Sequence, residues 1–380
     1  MNLSAEDYAT IGYYSAYSTL LSPLIGYFMI DYFLKNRFLL KGYDLDQLKS
    51  TIIKLYIVFS GIITLLCIVG LYIYITSANV SIPFFPYAIL TLLQSYTGLL
   101  FAFKTAELKI DMQSRKFFWL SLISGVINAI IALLFVVLFK WGAVGRMGGM
   151  LLVSIGFFCY SLWTYRHLLI IPFDSSRIKS ILKYSTPLVL AGMLGFFTNG
   201  YDKVLLERQG DIYMLGIYAV ALQMSGYLNI FATAIKTTFQ PDAYKAMAEK
   251  NKRKLAKTIL LNVGLVSVLV LLFVLFCPII IHLLTAGRYD ESTGLSRILS
   301  LSVITSTFYY QIAQATYGSG LSHLTLINKI ISAIISALLF LWLIPLYGAY
   351  GAAWAVVLSF LLCGVTNLVL LFFYRNKFLK

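Results

Sequence analysis

The chain has 380 residues, of which 60% are hydrophobic and only 12% charged. Two or three soluble domains of that total length would need far more charge to solvate their surfaces, so a soluble protein is excluded. The net charge of +15, from 30 Lys plus Arg against 15 Asp plus Glu, would suggest nucleic acid in a soluble chain, and the positions of the charges must decide what it means here.

Apolar runs of roughly 20 residues alternate with short charged stretches, and a helix of that length crosses about 30 Å of hydrocarbon. In chain order these runs predict eleven membrane-spanning helices, at about 8–30, 51–76, 83–104, 116–139, 145–165, 182–206, 212–237, 256–284, 294–317, 323–345 and 349–374. Each connection is at most roughly 20 residues, too short for an extramembrane domain of ordinary size. The expected fold is an all-α integral membrane protein, a polytopic helix bundle. Cys67, Cys159, Cys277 and Cys363 all lie within apolar runs and show no zinc or disulfide spacing.

Assigning successive connections to alternate sides separates the positive charges sharply. Lys140, Arg146, Lys203, Arg208, Arg288 and Arg297 fall on one side, and the remaining 24 Lys and Arg on the other. Cytoplasmic loops carry the excess of positive charge, so the side with 24 is the expected cytoplasm, with the C-terminus inside and residue 1 outside. Orientation and anionic headgroups account for the basic balance, and no nucleic-acid partner is needed.

The two halves resemble each other at an offset of about 205 residues, the kind of internal repeat on which many transporter folds are built. Gly12-Tyr13-Tyr14-Ser15-Ala16, just after Glu6-Asp7, matches Gly216-Ile217-Tyr218-Ala219-Val220, just after Asp211. Lys140-Trp141-Gly142-Ala143-Val144-Gly145 matches Leu346-Tyr347-Gly348-Ala349-Tyr350-Gly351. The expected domains are an N-terminal transmembrane lobe, 1–170, with five helices and a C-terminal lobe, 171–380, with six. The helix at 182–206 precedes the second-half match, so its counterpart would precede residue 1. A six-plus-six architecture lacking its first helix is therefore expected, beside the alternative of a native eleven-helix protein.

In order and spacing, several segments resemble the polysaccharide flippases, including O-antigen flippases, of the multidrug/oligosaccharidyl-lipid/polysaccharide exporter superfamily. Tyr184-Ser185-Thr186-Pro187-Leu188, leading through Asn199 to Asp202-Lys203, resembles that family's seventh helix. Gly216-Ile217-Tyr218 and then Gln240-Pro241-Asp242-Ala243-Tyr244 resemble its eighth helix and following loop, and Tyr347-Gly348-Ala349-Tyr350-Gly351-Ala352-Ala353 the turn into its last. Leu3-Ser4-Ala5-Glu6-Asp7-Tyr8 resembles the loop after its first helix. The resemblance implies a MATE-like pair of related lobes around a central cavity in a bacterial plasma (inner) membrane. It implies alternating access, and flipping of a polyprenyl-pyrophosphate-linked oligosaccharide from the cytoplasmic to the outer leaflet for surface polysaccharide synthesis. Membrane lipid, that glycan substrate and polysaccharide polymerase machinery are the implied partners.

Carrying a pyrophosphate and a glycan through hydrocarbon requires cations and hydrogen bonds in a cavity, since one charged side chain at midplane costs about 2.5–3.5 kcal/mol on insertion scales. The cations embedded in or bordering the spans are Lys54, Lys104, Lys203, Lys236 and Arg297. Lys236, between Phe231–Ile235 and Thr237-Thr238, is the first candidate, against the reading of a lysine snorkelling to headgroups. Arg297 is a candidate for the diphosphate at the outer end, or pairs with Asp290 or Glu291 in the same loop. Asp202 and Lys203 are cavity candidates or a local ion pair, and Glu107 is the expected i,i+3 partner of Lys104. Asn199, Gln311, Gln314 and Tyr310 are candidates for holding a sugar, against plain interhelical hydrogen bonding. Pro23, Pro187 and Pro278 lie in spans, as bend points or static kinks.

No span carries Asp or Glu near its centre, whereas an ion-coupled drug or metabolite exporter of the same fold, the alternative function, would place a carboxylate deep in a lobe. An enzyme of glycan polymerisation or ligation would need an outward catalytic surface, and His167, His282 and His323 are scattered over three helix ends. No catalytic residue, metal cluster, phosphate-binding glycine loop or cofactor site is expected.

Overall fold

The computed structural model describes residues 3–78, 80–172, 174–249, 251–318 and 322–373, and among them every regular element is helical. The chain divides into two compact units, Asn2–Met193 and Leu194–Lys380. That division falls inside the expected span 182–206, whereas the repeat places the lobe boundary near 170. The final helical segment before the division packs on the first unit.

In the first unit α1 spans Ala5–Gly26, α2 Met29–Asn36, α3 Tyr43–Ser77, α4 Tyr87–Ile110, α5 Ser114–Leu133, α6 Gly142–Tyr165 and α7 Ser175–Met193. Ser4 starts α1 with a capping box: its hydroxyl accepts from the Asp7 N–H at 3.1 Å, and Asp7 Oδ2 accepts from the Ser4 N–H at 2.9 Å. The helix is polar on the inside, burying Tyr13, Tyr14 and Tyr17. Tyr14 donates to the Pro83 carbonyl at 2.7 Å, and the Ser18 and Ser95 hydroxyls meet at 3.1 Å, linking α1 to the elements around α4. Left-handed Tyr27 and Phe28 end it, so the expected first span 8–30 breaks into α1 and the short α2.

In the second unit α8 spans Phe196–Asn199, α9 Tyr201–Arg208, α10 Ile212–Ala248, α11 Lys252–Thr285, α12 Ser292–Gly318 and α13 Ser322–Phe373. Helix α13 is two helices joined at Gly348, whose φ of 56° and ψ of −132° are not helical. The expected span 182–206 is α7, α8 and α9, interrupted near Gly195 and Gly200.

Among the described residues, seven helices are both long and apolar enough to cross a membrane. The last of these, a 46-residue stretch, is the pair broken at Gly348. Helices α1, α4 and α12, of 22, 24 and 27 residues, are long enough but less apolar. Their hydroxyls are spent inside the bundle, as where Thr97 on α4 meets Ser154 on α6 at 2.7 Å. The chain is thus a multi-pass membrane protein, and each of the eleven expected stretches lies mainly on helix where the residues are described.

The repeat has a backbone expression. Gly142 and Gly348 both take positive φ, 54° and 56°, at the turn into a new helix. Three residues on, each chain runs against the helix it has just left. A Cβ on Gly145 would stand 2.9 Å from the Phe135 carbonyl oxygen, and one on Gly351 would collide with the Leu343 carbonyl. The first turn is tied down by Asp7 Oδ1, which accepts from the Ala143 N–H at 2.7 Å. Near the second, the Gln209 side-chain amide donates to the Ile344 carbonyl at 2.8 Å.

Candidate functional site

The second unit contains a cavity of about 160 Å³, bordered by Thr198, Asn199, Tyr309, Tyr310, Lys329 and Ser332. Glycine-flanked α8 brings Thr198 and Asn199 to it, α12 the tyrosine pair, and α13 Lys329 and Ser332. A water occupies about 30 Å³ of liquid, so the space takes one polar end of a ligand rather than a whole oligosaccharide. Phe360 and Cys363 close the apolar side.

One lysine, Lys329, borders this cavity, and a second, Lys236, stands over the ring of Tyr310 without bordering it. The Lys236 ammonium, on α10, lies 5.4 Å from the centroid of the Tyr310 ring, and that cation–π contact is its only one among the described residues. Lys329 makes no hydrogen bond or ion pair among the described residues, although it sits well inside the helix, next to the buried Asn328 and about a turn from the buried Ser332. An ammonium with neither acid nor carbonyl beside it among the described residues keeps its hydrogen-bonding capacity, and beside the tyrosine hydroxyls it can meet an anionic group.

The other expected residues are placed differently. Asn199 borders the cavity while its amide donates to the Gly195 carbonyl at 3.2 Å. Asp202 and Lys203 are buried and hold each other at 3.4 Å, with the Tyr218 hydroxyl donating to Asp202 at 2.6 Å and Lys203 to the Asn199 carbonyl at 3.2 Å. They form the local pair. Gln311 is buried, and both amide atoms of Gln314 are buried without a partner among the described residues. Neither glutamine is among the described residues bordering the cavity.

Lys54 donates to the Ile171 carbonyl at 2.6 Å, tying α3 to the chain before α7. Arg297 is exposed and donates to the Val274 carbonyl at 3.3 Å. It pairs with neither expected acid, because His282 Nδ1 lies 2.9 Å from Asp290 and the Tyr213 hydroxyl donates to Glu291 at 3.1 Å. The expected Lys104–Glu107 pair is present at 3.1 Å, but Lys49 is nearer, at 2.7 Å, and the buried Tyr165 hydroxyl donates to the same carboxylate at 2.6 Å.

By sequence, Lys329 counts only among the cytoplasmic-side charges and not among the candidate cavity cations. Its signal was there: Leu326-Ile327 precede it and Ile330-Ile331 follow, so it lies within an apolar run rather than beside one. Lys49 as the closer partner of Glu107 had no such signal, since the two are 58 residues apart.

A family model described as polysaccharide biosynthesis protein matches residues 36–292, more than half of the chain. The chain is similar to a capsular polysaccharide biosynthesis protein of Staphylococcus aureus, CapF, at 25% identity over 193 residues, 48% of each chain. It thus spans about half the length of that curated relative. Among solved structures it is similar to an inward-facing multidrug resistance MATE family transporter of the MOP superfamily, with a TM-score of 0.73 at 15% identity over 99% of this chain and 91% of that one. It is also similar to the lipid II flippase MurJ in an inward closed conformation, with a TM-score of 0.68 at 17% identity over 99% and 88%. At these identities the likeness establishes a shared fold.

Proposed function

Because the chain belongs to the polysaccharide biosynthesis protein family, we propose that it translocates a polyprenyl-pyrophosphate-linked oligosaccharide from the cytoplasmic to the outer leaflet of a bacterial plasma membrane. The motion is alternating access between two related lobes, 1–170 and 171–380, with the basic helix ends and the C-terminus on the cytoplasmic side. The chain carries the glycan and makes no covalent change to it. Polymerising machinery on the far side takes the product.

The observation that supports this reading is a pair of lysines without counter-ions among the described residues: Lys329 at the tyrosine-lined cavity and Lys236 over the ring of Tyr310. The anionic phosphates answer the ammonium groups. Tyr309 and Tyr310, with the Asn199 amide, answer sugar hydroxyls. Arg297 stands at the outer end as a later contact. An ion-coupled exporter would need a carboxylate available to bind and release its ion, yet Asp202 and Glu107 are each held by lysine and tyrosine.

The test is made in a strain lacking the gene. Polyprenyl-linked oligosaccharide should accumulate on the cytoplasmic face, and the intact gene should clear it while Lys236→Ala and Lys329→Ala should not. Loss of resistance or of metabolite export without lipid-linked glycan accumulation would replace this reading with that of an ion-coupled exporter.

A further inference from the structure

Helix α5 packs on α6 and α4 at the edge of its unit, yet none of its residues is buried, and only 6% of the most apolar stretch between Ser114 and Leu138 is covered. At its start it leaves a cleft of about 810 Å³ between itself, the end of α4 and the end of α6. The cleft's acids are already taken. Glu107 receives Lys49, Lys104 and Tyr165, and Asp111 is bridged by Arg37 at 2.7 Å. Arg115 and Lys116, which border the same cleft, have no partner among the described residues.

One turn further along α5 the wall becomes apolar. Trp119, Leu120 and Ile123 continue from the cations, with Tyr160 facing them from α6. From Lys116 to Ile123 the helix rises about 10 Å at 1.5 Å per residue. Cation, indole and then aliphatic side chains over that distance follow the sequence of phosphate, glycerol and acyl chain in a phospholipid, and tryptophan belongs at the boundary. The volume lies in the range of sites for small molecules, about 300–1,000 Å³.

We propose that this cleft binds an anionic phospholipid of the leaflet bordering the basic helix ends. Its phosphate sits on Arg115 and Lys116, and the upper part of one acyl chain lies along Trp119, Leu120 and Ile123. A second copy of the chain is the poorer occupant, because a surface complementary to these cations would have to be acidic and the chain has half as many acids as bases. A free phosphate would leave the apolar wall uncovered. The inference does not depend on the translocation reading, since the cleft lies wholly within the Asn2–Met193 unit and shares no residue with the cavity of the other.

The experiment is native mass spectrometry of the full chain in detergent, titrated with phosphatidylglycerol and with phosphatidylcholine of the same chains. Phosphatidylglycerol should be retained and phosphatidylcholine should not. With each basic side chain contributing on the order of 1 kcal/mol near an anionic surface, the double variant Arg115→Gln/Lys116→Gln should bind phosphatidylglycerol roughly 30-fold more weakly. Arg115→Lys should keep most of the affinity, and Trp119→Ala should weaken binding with both cations in place. Equal retention of the two lipids, or unchanged retention by the double variant, would overturn the proposal. So would displacement of bound lipid by millimolar glycerol phosphate, which would make this an anion site without a chain, or a dimer whose formation excludes phosphatidylglycerol. Trp119→Ala gives the same reading should the double variant not fold, because it changes no charge.

Discussion

The glycine turns at 142–145 and 348–351 repeat one backbone, but the charges around them follow opposite rules. In the Asn2–Met193 unit nearly every cation reaching into the helices is answered: Lys54 by the Ile171 carbonyl, Lys49 and Lys104 by Glu107, and Arg37 by Asp111. In the Leu194–Lys380 unit Lys203 is answered by Asp202, while Lys236 and Lys329 are left with an aromatic ring and a cavity. A duplicated scaffold has thus kept its turns, which only glycine can build, and let its polar interior diverge. Ion pairs that close on themselves hold helices together, whereas cations without partners are available to a ligand.

The largest effect expected from breaking this contrast is at Glu107. Glu107→Gln leaves Lys49 and Lys104 facing each other in a buried setting and should cost about 3–5 kcal/mol, measured as unfolding in detergent. Adding Lys49→Met should recover part of that loss. Glu107 lies in the last turn of α4, beyond the apolar run. Burial works to raise its carboxyl pKa, but the hydrogen bonds from Lys49 and Tyr165 and the nearby ammonium charges outweigh burial and hold it below the usual carboxylate range. Its stabilisation is therefore complete above the unfolded value of about 4.3 and disappears as pH falls through the lower folded value. The stability of Glu107→Gln should change less between pH 5 and pH 3 than that of the parent.

The turns should be nearly as sensitive. Gly351→Ala drives a methyl into the Leu343 carbonyl and should cost about 3 kcal/mol, the upper end of overpacking, with Gly145→Ala somewhat less because its nearest neighbours include the movable Trp141 side chain. Equal losses at the two would mean that the turns repeat in packing as well as in dihedral angles. Lys329→Ala should not lower stability and should raise it modestly, because the ammonium is partly buried with nothing described bonded to it. It should cut transport about 10- to 100-fold, the value of one hydrogen bond to a charged group. Lys54→Met should show the reverse pattern, a loss of about 1 kcal/mol of stability with transport retained, in a reconstituted flipping assay.

Much of this arrangement was legible in the chain. The eleven apolar stretches and the paired Gly142 and Gly348 segments could be read directly, because hydropathy and positive-φ glycine are properties of local sequence. The breaks near Gly195 and Gly200 were not, since Phe196, Phe197 and Tyr201 keep the run apolar where the helix fails. Partners were harder still. Asp290 and Glu291 stand close to Arg297 in sequence, yet His282 and Tyr213 reach them first, and only the folded chain decides which donor arrives. Lys329 lies within an apolar run that the sequence shows, but that no acid among the described residues reaches it is known only from the fold.

Lys236 and Lys329, without counter-ions among the described residues, also bear on the energetics of the folded chain. A ligand that binds the folded chain at a partly buried cation without an anion among the described residues should raise the unfolding temperature by ordinary mass-action linkage. At 100 times its dissociation constant such a ligand adds about 2.7 kcal/mol. A melting curve can therefore serve as a ligand screen for this protein, with candidate phosphates and glycans ranked by how far they shift it, and with Lys329→Ala as the variant in which the shift should shrink.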